Sequence, residues 1–272
     1  MINPIMLSFS ANLTCVQDTL DIRDYIYTPA KKPLSESVVL SNGMSAPILQ
    51  GELNSCSAIA ISSMIEYDLR KENDPIEGTE TLPESFLPSQ LFLYYNERVL
   101  EGKIDINAPV QIRNGIKSAV KTGVCSYNIW PYDPNKFKEK PPDIAYRIAK
   151  SCTAISYYKI NKNLDDLRAC INERFPFIFG FFMPSSFAQG ECAKTGIMTL
   201  PPEDEERKGG HAVAAFGYDD KKECFYIRNS WSSYWGDKGY FYMPYKFITG
   251  EFVKGDTKTE NTFSFWTIRR MT

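Results

Sequence analysis

Gly209-Gly210-His211-Ala212-Val213 contains the single histidine of a 272-residue chain. Any acid–base step that needs an imidazole has to use this residue. Eighteen residues further on comes Asn229-Ser230-Trp231, followed by Trp235-Gly236. Far upstream stands Gln50-Gly51-Glu52-Leu53-Asn54-Ser55-Cys56. A cysteine, a histidine and an asparagine in that order are the parts of a thiol nucleophile with its base and an orienting group.

The surroundings of each motif point to a local structure. Ala58, Ile61, Ile65 and Leu69 recur at helical spacing. Asn54 or Ser55 can cap that helix, which puts Cys56 in its first turn. Ser89 to Glu97, after Pro88, and Ile112 to Lys121, stopped by Gly123, read as two more helices. Trp130 to Pro134 reads as a loop. Beyond about residue 150 the pattern turns β-rich, with one helix near Leu164 to Arg174. Phe177 to Met183 is apolar throughout, as in a buried strand. His211 to Tyr218, Cys224 to Arg228, Gly239 to Met243 and Phe263 to Ile268 also read as strands. Residues 1–40 read as an irregular extension, broken by Pro29 and Pro33. The expected class is α+β. Residues 41–150 form a mainly helical part and residues 151–272 a mainly β part of one domain.

Composition narrows the function. Acidic and basic residues nearly cancel, leaving a net charge of -2. That argues against nucleic-acid binding, which calls for a basic face. No apolar run is long enough to span a bilayer, and no signal peptide is read at Met1 to Cys15. The seven cysteines (Cys15, Cys56, Cys125, Cys152, Cys170, Cys192 and Cys224) include no CxxC pair. A zinc site is not expected, nor is any other metal or cofactor. Reduced thiols are the simplest reading, and with them an intracellular protein or one exported without a classical signal. The six cysteines other than Cys56 read as structural thiols.

Taken together, these motifs resemble those of the papain-like cysteine peptidases, in the disulfide-poor branch outside the lysosomal cathepsins. The likeness rests on Gln50 six residues before Cys56, on Gly-Gly-His-Ala-Val, and on Asn229-Ser230-Trp231 with Trp235-Gly236 and Gly239-Tyr240. Phe92-Leu93-Tyr94-Tyr95-Asn96 and Ile112 to Lys117 extend it, so that it covers about residues 40–268. Leu53 stands where the family usually carries a disulfide cysteine, Ser57 where an aromatic residue often follows the nucleophile, and Asn54 where a glycine is usual. Asn tolerates a left-handed backbone, which is the expectation for Asn54. Glu52 is expected to raise the thiol pKa by its charge.

The resemblance implies a two-lobed fold, helical in its N-terminal lobe and β-barrel-like in its C-terminal lobe, with the active site in the cleft between them. It implies that Cys56 is the nucleophile, His211 the general base and acid, and Asn229 the group that orients His211. The Gln50 amide and the Cys56 N–H would form the oxyanion hole, and Trp231 would cover the His211–Asn229 contact. The Gly210 carbonyl and Trp235 would contact substrate, Trp235 on the leaving-group side, and residues 107–110 would offer a substrate-binding strand. The expected reaction is hydrolysis of a peptide or protein through a thioester. Two other readings use the same residues: a catalytically weak binding module, and acyl transfer to an amine. Fifty-five residues precede Cys56, more than the resemblance implies for a mature domain and fewer than for a full propeptide with its segment ahead of the nucleophile. Residues 1 to about 35 are therefore expected either to cross the cleft and limit access or to form a strap on the lobe surface.

Overall fold

Phe177–Pro184 lies at the centre of the molecule because its residues are apolar on both faces, and both faces are buried. The computed structural model of the chain describes residues 15–72, 86–153 and 156–269. In chain order the elements begin with β1 (Ser37–Val39), α1 (Cys56–Glu72), α2 (Gln90–Leu100) and α3 (Ile112–Thr122). A 3-10 turn at Pro134–Lys136 precedes α4 (Asp143–Ala149), β2 (Ser156–Lys159), α5 (Leu164–Asn172), β3 (Phe177–Pro184) and α6 (Glu191–Thr195). Then come β4 (Arg207–Asp219), β5 (Cys224–Arg228), β6 (Tyr240–Pro244), α7 (Tyr245–Thr249), β7 (Glu251–Lys254), β8 (Thr257–Glu260) and β9 (Thr262–Arg269).

Among the described residues the main sheet is antiparallel and runs β2-β9-β3-β4-β5-β6, with β1 added to β4. Its end strands β2 and β6 do not pair with each other, so the sheet is open. β3 places Phe181 opposite His211 of β4. Phe177, Phe179, Phe225 and Phe265 pack around the same strand, with Phe179 and Phe265 stacked at 5.1 Å. Such pairs add about 0.5–1.5 kcal/mol each beyond the area they bury.

The three helices read in the N-terminal half are present. α1 starts at Cys56 and carries buried residues over most of its length, packing against β4, α2 and α3. α2 is capped by Ser89, whose hydroxyl accepts from Phe92 N at 3.1 Å. The sequence reading passed over β1, β2, α4, α6, α7 and the β7–β8 hairpin. These elements have three to seven residues each. α4 begins directly after the charged stretch that ends in Pro142, and β8 is Thr-Lys-Thr-Glu, with no apolar alternation.

The N-terminal segment is packed onto the molecule from residue 15. Tyr27 N donates to Lys159 O at 2.8 Å, and the Arg269 guanidinium lies over the Tyr27 ring. β1 joins the main sheet at Val39 opposite Gly217. Residues 1–14 of the expected extension lie outside the described residues, and with them all but the last position of the stretch read for a signal peptide. No helix among the described residues is long and apolar enough to cross a membrane.

Candidate active site

Cys56 is the first residue of α1. Ile59 N donates to Ser55 O at 3.0 Å, so Ser55 occupies the capping position. Neither expected side-chain cap is used: Ser55 Oγ shares a 2.7 Å hydrogen bond with Tyr132 OH, and Asn54 Nδ2 donates to Asn107 O. Asn54 does not adopt a left-handed backbone either, whereas Gly51 does. Instead Asn54 N donates to Asn107 Oδ1 and Asn107 Nδ2 donates to Glu52 O, each at 2.8 Å. Tyr94 OH adds a donor to Asn107 Oδ1 at 2.6 Å. These hydrogen bonds anchor the loop in front of Cys56 where the resemblance implied a lost disulfide. Asn107, read as the start of a substrate strand, serves as this clamp.

β4 carries His211. His211 is fully buried, and its Nε2 lies 2.8 Å from Asn229 Oδ1, the first residue beyond β5. Asn229 Oδ1 also accepts from Ser230 N at 2.8 Å, which fixes the amide. A neutral imidazole therefore carries its proton on Nε2. Nδ1 is buried with no hydrogen-bond partner. Trp231 stacks on the imidazole at 5.1 Å and 25°, and the edge of Phe181 meets it from β3. Phe187 joins Trp231, Trp235 and Phe241 behind the ring. Trp231 and Trp235 are both buried, so the two belong to the wall behind His211.

Gln50 is tied to the same block. Its N–H donates to Ser230 O at 2.8 Å, Leu49 bridges to Trp231, and Ser232 N donates to Ile48 O. Its Nε2 donates to Leu53 O at 2.9 Å, and Ser230 Oγ donates to its Oε1. Tyr132 OH donates to Gln50 O at 2.8 Å. Tyr132 thus braces both Gln50 and Ser55, a role no local motif revealed.

Backbone N–H groups of Ala212, Ser57 and Cys56 favour the ionised sulfur of Cys56, as a helix N-terminus does. Burial outweighs them and pushes the thiol up to about 11. Burial likewise pulls His211 down to about 4, against the opposing effect of its hydrogen bond to Asn229. The thiol and the imidazole are therefore both neutral in this covered site. The carboxyl group that bears most on Cys56 is Glu97 of α2, and the expected Glu52 is not among the leading influences.

The cover includes the N-terminal segment. Cys15 N donates to Gly210 O at 2.8 Å, and a Cβ on Gly210 would stand 2.3 Å from Cys15 O. Gly210 is thus the position that lets the strap approach β4. Gly209 takes a φ of 112°, open to glycine at little cost. Val16 bridges in parallel to Gln111, ahead of α3. Asp18 holds the strap down: Trp266 Nε1 and Arg113 N donate to its carboxylate, and its own N–H donates to Ser264 Oγ. Arg113 Nη1 pairs with Asp24 at 3.0 Å.

Known proteins carry the same plan. A family model described as papain family cysteine protease matches residues 110–251, a stretch that includes His211 and Asn229. A peptidase C1-like protein of Acanthamoeba polyphaga mimivirus is 38% identical over an alignment of 247 residues that covers 88% of this chain and 74% of that protein. The chain belongs to the papain family of cysteine proteases. Among solved structures, xylellain, a cysteine protease from Xylella fastidiosa, matches with a TM-score of 0.84 and 33% identity, covering 95% of this chain and 96% of that one. Bromelain from Ananas comosus, solved with the inhibitor E64, shares the fold at a TM-score of 0.62 and 16% identity, covering 86% and 99%. The papain-like fold and protease class expected from the sequence thus hold. No disulfide joins any of the seven cysteines, and all are buried, including Cys15, Cys125 and Cys192, which the sequence placed near loops or in the extension. Seven cysteines without a disulfide fit the disulfide-poor branch of the papain family.

Proposed function

We propose that this papain-family protease cleaves peptide bonds through a thioester on Cys56. The observation that carries the reading is the His211–Asn229 hydrogen bond of 2.8 Å under Trp231, which leaves Nδ1 unpartnered on the strand whose next N–H, that of Ala212, faces the Cys56 sulfur. His211 takes the thiol proton at Nδ1, and the sulfur attacks the substrate carbonyl. The Cys56 N–H and the second hydrogen of Gln50 Nε2 receive the developing oxyanion. The imidazolium then gives its proton to the leaving amine, and water, activated by the same imidazole, hydrolyses the thioester. Asn229 holds the ring orientation throughout, and Trp231 keeps water from that hydrogen bond.

The substrate proposed is an extended peptide or unfolded protein segment, whose backbone would pair with the Gly210 carbonyl once Cys15 has left it. The strap, residues 15 to about 35, is proposed to limit access to the cleft. Its support is the Cys15–Gly210 hydrogen bond and the Asp18 anchor. A reducing compartment is proposed because none of the seven cysteines is in a disulfide.

A thiol-directed epoxide probe, mapped by mass spectrometry, tests the nucleophile. Labelling is expected at Cys56 alone and is expected to vanish in His211→Ala. Equal labelling of several cysteines would contradict an activated Cys56. Cleavage profiling on peptides, with and without added amine acceptors, separates hydrolysis from acyl transfer.

A further inference from the structure

Behind the nucleophile lies a carboxyl group that the proposed mechanism leaves unused. Glu97, on α2, is 1% exposed. Its Oε1 accepts from Ser57 Oγ at 2.8 Å, and Ser57 directly follows Cys56 in the first turn of α1. Its Oε2 is buried with no hydrogen-bond partner. That oxygen faces α3 and α1: a Cβ on Gly115 would stand 2.7 Å from it and 2.7 Å from Ile61 Cδ1. Glu97 therefore fills the junction of three helices, beside a serine where an aromatic residue often stands.

Arg98 favours the ionised form of Glu97 by charge, but among the described residues no cation is hydrogen-bonded to that carboxyl group. On α2 itself the neighbours are Tyr94, Arg98 and Glu101. The Arg98 guanidinium is committed to the carbonyls of Tyr94, Ile104, Ile106 and Phe137. Glu101 is held by Lys103 and Asn114. α1 contributes Cys56, and the strap contributes Cys15, whose thiol also senses Glu97. α3 presents Gly115, while its Arg113 is turned to Asp24 and Thr19. An ionised carboxylate in such a place is costly, so the group rests as the neutral acid.

We propose that Glu97 is a positioning residue for the nucleophile: neutral, it fixes the first turn of α1 through Ser57, and on losing its proton to solvent it disfavours the Cys56 thiolate, closing the alkaline range of the enzyme. This rests on the reading of Cys56 as the nucleophile. The direction follows from where the charge acts. Ionised Glu97 works against the Cys56 thiolate, whereas His211 is governed by burial and by Asn229. Burial holds Glu97 protonated well above the ordinary carboxylate range, while the Ser57 hydroxyl and then the Arg98 charge favour the ionised form.

The test is kcat/KM on a peptide substrate across the pH range for wild type, Glu97→Gln, Ser57→Ala and Cys56→Ala. Gln keeps the shape and an acceptor for Ser57 but cannot ionise. Glu97→Gln is expected to stay within about threefold of wild type at neutral pH and to carry its alkaline limb about one pH unit higher. Ser57→Ala removes the hydroxyl that favours the carboxylate, so its limb is also expected to move up. Superimposed alkaline limbs for wild type and Glu97→Gln would overturn the proposal. If Glu97→Gln does not fold, Ser57→Ala decides: a limb that stays or moves down overturns it. Wild-type turnover that survives Cys56→Ala would instead overturn the assignment of the nucleophile, and this inference with it.

Discussion

At the scale of single residues, Gln50 is the part of the site with the least support from its own sequence and the most from the structure. An isolated loop glutamine is ordinarily solvated. Here it is fully buried, with the backbone on one side paired to Ser230 and the side chain fixed at both ends by Leu53 O and Ser230 Oγ. One Nε2 hydrogen remains for an oxyanion. Gln50→Ala removes that donor and raises the barrier by about 2.7–4 kcal/mol. The expected result is a kcat lower by about 10²–10³-fold with KM little changed, measured by steady-state kinetics. A change confined to KM would place Gln50 in ground-state binding only. The offset of Gln50 from Cys56 was legible in the sequence, as were the pairing of His211 with Asn229 and the cover by Trp231. Tyr132 and Glu97 were not legible: each reaches the motif from a distant helix or loop through a single side chain, and no local spacing ties either to Cys56.

At the scale of elements, the strap is anchored by an acid whose protonation can be followed. Asp18 is titrated upward by burial, against hydrogen bonds from Trp266, Arg113 and Ser264. A carboxyl whose pKa is raised on docking binds its proton more tightly in the docked strap than in the free one. Docking is therefore strongest below the ordinary carboxylate range and weakens as pH rises through the raised value. Amide hydrogen exchange at residues 15–20 is expected to speed up across that window beyond its ordinary dependence on pH, and Asp18→Asn is expected to remove the extra step. Exchange that is faster at the acid end than intrinsic chemistry allows would reverse the sign. The strap's course was beyond the sequence reading because its contacts are nonlocal hydrogen bonds from an unpatterned segment. Long elements were read well: α1, α2, α3, β3 and β4 carry apolar patterns that their burial requires. The short ones, such as β1 and β8, take their structure from a neighbouring strand and carry little signal of their own.

At the scale of the whole molecule, the N-terminal segment has two parts that act differently. From Tyr27 onward it is built into the β-rich half: Tyr27 binds Lys159, Ala30 N donates to Glu173, Tyr218 OH donates to Ser35 O, and β1 pairs with β4. Cutting there would unpair a strand and expose buried surface, confusing stability with access. Cys15 to Asp18 lie instead against Gly210, Gln111 and Trp266 around the site. A variant lacking residues 1–20 therefore removes the cover and spares the sheet. Water that reaches Cys56 and His211 relieves the burial that holds both neutral, so the thiol is expected to titrate below about 11 and the imidazole above about 4. The variant is expected to show higher kcat/KM than the full chain, with the larger gain on substrates long enough to pair along the Gly210 edge. Its Cys56 should also alkylate faster at neutral pH, while thermal melts of the two proteins stay close. Equal kcat/KM on substrates of every length would make the strap a brace for the fold, with no part in access to the cleft.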